Sequence, residues 1–238
     1  MSIHMLVLSG GFGTRLKSEL GEMPKTLAPI GERFFLDYLL KEWIEQGITH
    51  YTFLLHHKYE QIINFINSQA NESLLQHCKI DFIVESEPLG TGGAIANAIV
   101  KLGLTGNLLV ANSDTWVPGA ISSLLDDYSG GNSIASVFID DVGRYGRLRI
   151  VNGYVVEIDE KSIEGGPGWI NAGIYMLDTK VFDNWQGHPF SLEKVTLREL
   201  AQTGKLKCQK LKNCDFIDIG VPSDYHRFIQ WAKNIKLD

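Results

Sequence analysis

The run Gly10-Gly11-Phe12-Gly13-Thr14-Arg15-Leu16, followed shortly by Pro24-Lys25, has the residue types of a polyphosphate cradle. Glycines bring bare backbone N–H groups close to an anion. Arg15 and Lys25 then supply the positive charge that phosphate oxygens need. Two commoner cradles fail on spacing. A Walker A loop ends in Gly-Lys-Ser/Thr, and the chain contains no such tripeptide. The dinucleotide fingerprint, started at Gly11 and Gly13, needs a third glycine where Leu16 stands. What remains is a triphosphate site or a tight strand-to-helix turn carrying two surface cations.

Three more segments carry candidate chemistry. Asn112-Ser113-Asp114 ends the apolar run Leu108-Leu109-Val110-Ala111. An aspartate at the carboxyl end of a strand is a natural Mg²⁺ ligand, and equally a helix-cap or turn residue. Glu87-Pro88-Leu89-Gly90-Thr91-Gly92-Gly93-Ala94 lets the backbone approach a planar base, or is a plain glycine-rich helix entry. Asp218, in Phe216-Ile217-Asp218-Ile219-Gly220-Val221-Pro222, lies 104 residues after Asp114, so only the fold could bring the two together.

The elements that would position these residues alternate. Met5-Leu6-Val7-Leu8, Tyr51-Thr52-Phe53-Leu54-Leu55, Ile80-Asp81-Phe82-Ile83-Val84 and Leu108 to Ala111 read as strands. Between them, Phe35, Leu36, Leu39, Leu40, Trp43 and Ile44 recur at helical spacing up to Gly47, and Ile62, Ile63, Phe65 and Ile66 mark a second helix. This alternation predicts an α/β, Rossmann-like three-layer fold: an open, mostly parallel sheet with helices on both faces. Asn152-Gly153, flanked by Leu148 to Val151 and Tyr154 to Ile158, predicts a small β-hairpin insertion with a type I′ turn. Ser223 to Ile235 reads as a C-terminal amphipathic helix. Ligands in such sheets gather beyond the carboxyl ends of the strands, which is where the glycine turn and Asp114 fall.

Bulk properties fit one soluble catalytic domain over residues 1–238. A net charge of −6 argues against nucleic acid as the main partner. No apolar run approaches the length of a membrane span, and no basic segment with a long apolar core opens the chain. Cys78, Cys208 and Cys214 form no Cys-x-x-Cys pair and read as reduced thiols, so the expected location is cytoplasmic. Self-association is left open by the sequence.

The segment from Leu8 to Ile30 resembles the signature of the sugar-1-phosphate nucleotidyltransferases, G-G-x-G-T-R-L followed by P-K-x-L-x-P-I/V. The resemblance implies that Leu8, Gly10, Gly11, Gly13 and Thr14 cradle a nucleoside triphosphate, with Glu87, Gly90 and Asn112 also on the nucleotide. It implies Mg²⁺ on Asp114, where Ser113 replaces the usual preceding glycine, and on Asp218 as second carboxylate. Tyr145 and Gly146 resemble a segment lying against the sugar ring. Glu160-Lys161, with Ser162 in place of a usual proline, resembles the pair that takes sugar hydroxyls and sugar phosphate. Asn171-Ala172-Gly173-Ile174-Tyr175 resembles a strand whose asparagine reaches the sugar.

The implied chemistry needs no strong general base, because a sugar 1-phosphate is already an anion. It needs an in-line path to the α-phosphorus of the triphosphate and neutralisation of charge. Arg15 would clamp the leaving pyrophosphate, Lys25 the transferring phosphate, and Lys161 the nucleophile. Short chains with this glycine segment and F-I-D-I-G-V-P resemble most the guanylyltransferases acting on D-glycero-alpha-D-manno-heptose 1-phosphate, which feed surface polysaccharide or lipopolysaccharide assembly. Mannose, glucose or N-acetylmuramic acid 1-phosphates with UTP, CTP or dTTP are the alternatives. A regulatory protein that has lost catalysis is disfavoured, since Arg15, Lys25, Asp114 and Asp218 are all present.

Overall fold

The computed structural model describes residues 3–159, 165–212 and 214–234. Its elements begin with β1 (His4–Ser9), α1 (Lys17–Leu20), β2 (Pro29–Ile30), β3 (Arg33–Phe34), α2 (Phe35–Glu45) and β4 (His50–Leu55). Next come α3 (Tyr59–Ile66), α4 (Gln69–Leu75), β5 (Lys79–Val84), α5 (Gly90–Leu102), β6 (Asn107–Asn112) and β7 (Thr115–Trp116). They continue with α6 (Ala120–Asp126), β8 (Asn132–Ile139), β9 (Leu148–Val151), β10 (Tyr154–Ile158) and β11 (Gly168–Asp178). The last are α7 (Arg198–Gln202), β12 (Leu206–Leu211), β13 (Ile217–Asp218) and α8 (Pro222–Ala232). The fold is α/β, and the strands read from the sequence are present to within a residue at each end.

Packing groups the chain into two compact units. The first comprises Met1–Glu87, Asn112–Val117 and Asp215–Asp238; the second comprises Pro88–Ala111 and Pro118–Cys214.

In the first unit β1, β4 and β5 pair in parallel, His4 opposite His50 and His50 opposite Lys79. Met5, Leu6 and Val7 are all fully buried, the near-continuous apolar run that a parallel strand covered on both sides requires. Helix α2 buries Phe35, Leu36, Tyr38, Leu39, Leu40 and Trp43, the stripe its spacing predicts. It ends as Gly47 takes φ 83° and Ile48 N–H reaches back to Trp43 C=O at 3.0 Å, a glycine C-cap. Helix α8 starts on Pro222, whose missing N–H is no loss in a first turn. Phe228 of α8 meets Phe35 at 4.8 Å, Tyr38 at 5.2 Å and Trp116 at 5.9 Å between ring centroids. Each edge-on aromatic pair adds about 0.5–1.5 kcal/mol beyond the area it buries. The cluster thus braces Trp116, two residues from Asp114, against α8, whose Phe228 in turn packs on α2.

In the second unit β11 is the hub, antiparallel to both β6 and β8. Strand β8 runs parallel to β12, and β12 pairs antiparallel with β10. Of these pairs β8–β12 is parallel and the others are antiparallel, unlike the parallel pairs of β1, β4 and β5. The β9–β10 hairpin forms as expected: Asn152 and Gly153 both have positive φ, 48° and 80°, the requirement of a type I′ turn. No helix among the described residues is long and apolar enough to cross a membrane.

Candidate active site

The glycine turn leaves β1 at Ser9 and re-enters regular structure in a single 3₁₀ turn, Thr14–Leu16. Gly13 has φ 61°, a left-handed conformation that disfavours any side chain there. Its missing Cβ faces Lys25, whose own Cβ would lie 3.5 Å away. Gly11 has open space on its Cβ side. Leu16 is fully buried and anchors the turn, whereas Thr14 and Arg15 are exposed. Arg15 makes no hydrogen bond or ion pair with another described residue, so its guanidinium is available to an incoming anion.

Lys25 begins a second 3₁₀ turn, Lys25–Leu27, and its Nζ donates to Asp114 Oδ2. Asp114 is fixed from the other side by Thr115, whose hydroxyl donates to Oδ1 at 3.0 Å. Asp218 is brought to the same place by two-residue strand pairing: β13 runs antiparallel to β7, with Asp218 opposite Thr115. The Ile219 N–H bond to Asp114 C=O, 3.0 Å, closes the arrangement. Asp218 Oδ1 accepts the Gly220 N–H at 2.7 Å, and a side chain at position 220 would press on that carboxylate. Residues 104 positions apart in the chain thus become one cluster.

Its electrostatics are unbalanced. Burial opposes the charge of Asp114, but the Lys25 ammonium and hydrogen bonds from Lys25 and Thr115 outweigh it and hold the carboxyl below its usual range. Asp218 has no such partner. Burial and the neighbouring Asp114 charge push it up to about 6, against the pull of Lys25 and the Gly220 N–H. Two carboxylates therefore share one ammonium. That donor set suits a divalent cation that binds through one or two carboxylates and takes its other ligands from phosphate and water, the habit of Mg²⁺. It does not make a self-contained metal site: no group of three or more His, Cys, Asp or Glu able to hold a metal occurs among the described residues.

The remaining residues predicted for the nucleotide are dispersed. Leu8 contributes its carbonyl to Ser113. Gly10 lies against His56. Asn112 is the last residue of β6, and Glu87 is exposed on the segment after β5. Gly90 opens α5 in the second unit with φ 70°. Glycine there also has a packing reason that the sequence does not show. Phe190 fills the space: its carbonyl accepts Gly92 and Gly93 N–H at 3.0 and 3.3 Å, and its ring occupies the position of a Gly92 side chain. Thr91 Oγ1 donates to Glu193 Oε2 at 2.8 Å and accepts Leu192 N–H at 2.8 Å. Nothing local in the sequence signals this clamp, whose two halves lie about a hundred residues apart.

Of the residues predicted for the sugar, Tyr145, Gly146 and Asn171 also lie in the second unit. Arg144 covers the Tyr145 ring at 5.2 Å and donates to its hydroxyl at 3.0 Å. A side chain at Gly146 would collide with the Asp159 carbonyl. Asn171 sits where the β11–β8 register shifts, donating to Tyr175 Oη at 2.7 Å and accepting Gly173 N–H at 2.8 Å. A bulge of this kind re-aims a side chain out of the regular pleat. Glu160 and Lys161, with Ser162, lie outside the described residues.

A glycine turn beside a lysine and a paired-aspartate cluster, on an α/β sheet, suits an enzyme that handles a polyphosphate with a divalent cation. The chain belongs to the nucleotidyl transferase family, whose pattern matches residues 4–234. It is 34% identical over 231 residues to D-glycero-alpha-D-manno-heptose 1-phosphate guanylyltransferase of Campylobacter jejuni, covering 95% of this chain and 99% of that one. The enzyme of the same name from Aneurinibacillus thermoaerophilus is 30% identical over 230 residues, covering 94% and 96%. Among solved structures, HddC from Yersinia pseudotuberculosis complexed with GMP-PN superposes with a TM-score of 0.83 at 34% identity, covering 97% of this chain and 99% of that one.

Proposed function

We propose that residues 1–238 act as one catalytic domain that transfers a guanylyl group from GTP to D-glycero-alpha-D-manno-heptose 1-phosphate. A sugar-phosphate oxygen attacks the α-phosphorus; the new P–O bond forms as the bond to the β-phosphate oxygen breaks, and pyrophosphate leaves opposite. The observation that carries the reading is the charge imbalance at Asp114 and Asp218, two carboxylates against the single Lys25 ammonium. The full-length likeness to two heptose 1-phosphate guanylyltransferases supports the choice of acceptor and base.

Asp114 and Asp218 would hold Mg²⁺, which neutralises phosphate charge when bound. Lys25, oriented by its ion pair with Asp114, meets the transferring phosphate. Arg15, exposed at the end of the glycine turn, holds the departing pyrophosphate. Gly10, Gly11, Gly13 and Thr14 contribute backbone N–H groups to the phosphates, with Leu8, Glu87, Gly90 and Asn112 on the rest of the nucleotide. Tyr145, Gly146, Glu160 and Asn171 line the sugar, and Lys161 holds its phosphate. Because the attacking group is already ionised, the residues act by position and charge rather than by proton transfer. The reaction runs in the cytoplasm, and its product feeds surface polysaccharide assembly.

The test is pyrophosphate release by the purified chain with Mg²⁺, each nucleoside triphosphate and a panel of sugar 1-phosphates. GTP with the heptose 1-phosphate is expected to exceed every other pair, mannose 1-phosphate included, by at least about tenfold in kcat/KM, a difference of roughly 1.4 kcal/mol. Arg15→Ala and Asp114→Asn are each expected to lower kcat by about a hundredfold or more, far more than either lowers stability. Preference for another pair would reassign the substrate; wild-type turnover in either variant would remove that residue from the mechanism.

A further inference from the structure

Three buried hydroxyls lie behind the Lys25–Asp114 pair and have no part in the chemistry above. Ser9, Thr26 and Ser113 are 6%, 5% and 4% exposed. Ser9 Oγ and Thr26 Oγ1 are 3.0 Å apart, and Thr26 Oγ1 and Ser113 Oγ 2.8 Å apart. Ser113 Oγ also lies 2.8 Å from the Leu8 carbonyl oxygen.

These contacts allow one order of protons. A carbonyl oxygen only accepts, so Ser113 must donate its single proton to Leu8. Ser113 then accepts from Thr26, and Thr26, its own proton committed, accepts from Ser9. The direction is Ser9 to Thr26 to Ser113 to Leu8 C=O. Leu8 is bonded covalently to Ser9, so the chain of hydroxyls closes into a circuit. Ser113 N–H also donates to Leu8 C=O, at 3.1 Å, which fills both lone pairs of that oxygen.

Each member is the immediate neighbour of a group at the site. Ser9 precedes Gly10 of the phosphate turn, Thr26 follows Lys25, and Ser113 precedes Asp114. We propose that this hydroxyl circuit is the positioning device of the site: it sets where Lys25 stands relative to Asp114 and to the glycine turn. The proposal rests on the roles given to Lys25 and Asp114 under Proposed function; the circuit's geometry does not. Apolar side chains of the same size would fill the space, but hydrogen bonds are directional and a closed buried network admits one arrangement. Ser113, which departs from the glycine usual before this aspartate, is thereby a working member of the circuit.

The experiment uses the full chain carrying Thr26→Val, Ser113→Ala, both together, and Thr26→Ser. Each of the first two is expected to lower kcat by about tenfold, the scale of one buried hydrogen bond, with KM for both substrates within about threefold. The double variant is expected to lose about the same tenfold, because a circuit opened once is already open. Thr26→Ser keeps the hydroxyl and should stay within about threefold of the parent. Backbone amide exchange in the substrate-free protein supplies the second readout: Thr26→Val should speed exchange by about tenfold in both Gly10–Gly13 and Ser113–Thr115.

A double variant losing about a hundredfold, the product of two independent effects, would overturn the proposal. So would Thr26→Val with parental kcat and faster exchange confined to its own turn. If the parent turns over no substrate pair, the functional reading fails, while the exchange pattern still decides the circuit. If Ser113→Ala does not fold, Ser9→Ala removes the first donor and takes its place in the comparison.

Discussion

Asp218 carries a carboxyl group that the fold makes hard to ionise. Its pKa rises from 3.8 to about 6 through burial first and Asp114 second. Between about pH 4 and pH 6 the folded chain holds a proton there that the unfolded chain has released. Stability from this group therefore falls as pH rises through that window, and the whole penalty is present above pH 6. Asp218→Asn removes it, so the variant is expected to be more stable at pH 7.5 by on the order of 3 kcal/mol, and no more stable near pH 4. Urea denaturation at both pH values checks this, with turnover lost throughout. A variant that is less stable at pH 7.5 would make Asp218 a structural turn residue. Magnesium affinity of the free protein is expected to fall below pH 6 in the parent, measurable by calorimetry, as a proton competes for the carboxylate. Asp114 was legible in the sequence because it ends an apolar run. Its pairing with Asp218 followed only from the family resemblance, since β7 and β13 have two residues each, too few to leave a pattern.

Elements were legible where one rule sufficed. The apolar runs of β1, β4 and β6, the stripe on α2 and the Asn152-Gly153 turn all follow from local periodicity or a required φ. The glycine-rich entry to α5 was legible as an entry, but its physical reason lay elsewhere in the chain. Gly90 and Gly92 make room for Phe190, which caps the first turn of α5 with its carbonyl. Gly92→Ala is expected to destabilise the protein by about 1–3 kcal/mol through overpacking against the ring. Phe190→Leu, combined with it, should recover much of that loss, and a double-mutant cycle in urea measures the coupling. Additive losses would show that the ring is not what excludes a side chain at position 92. The hydroxyl circuit of Ser9, Thr26 and Ser113 was illegible for a similar reason: serine and threonine recur throughout the chain, and only the fold selects these three.

At the scale of the whole molecule, the two units differ in how the chain builds them. The second is nearly continuous, Pro88–Ala111 and Pro118–Cys214, whereas the first is assembled from three separated stretches. Pairing β7 with β13 closes a loop of about a hundred residues, and the entropy of such closure slows contacts that are distant in sequence. In refolding followed by pulsed hydrogen exchange, amides of β8, β11 and β12 are expected to be protected before those of β7 and β13. Protection of β13 first would reverse this order. The discontinuity also bears on synthesis. The stretch that brings Asp218, Asp215–Asp238, is translated after every residue of the second unit. The glycine turn and Lys25 emerge early, without the second carboxylate that completes their cluster. With the roles proposed above, competence to consume nucleotide would arrive only once Asp218 has cleared the ribosome, and a half-made chain would be an inert one.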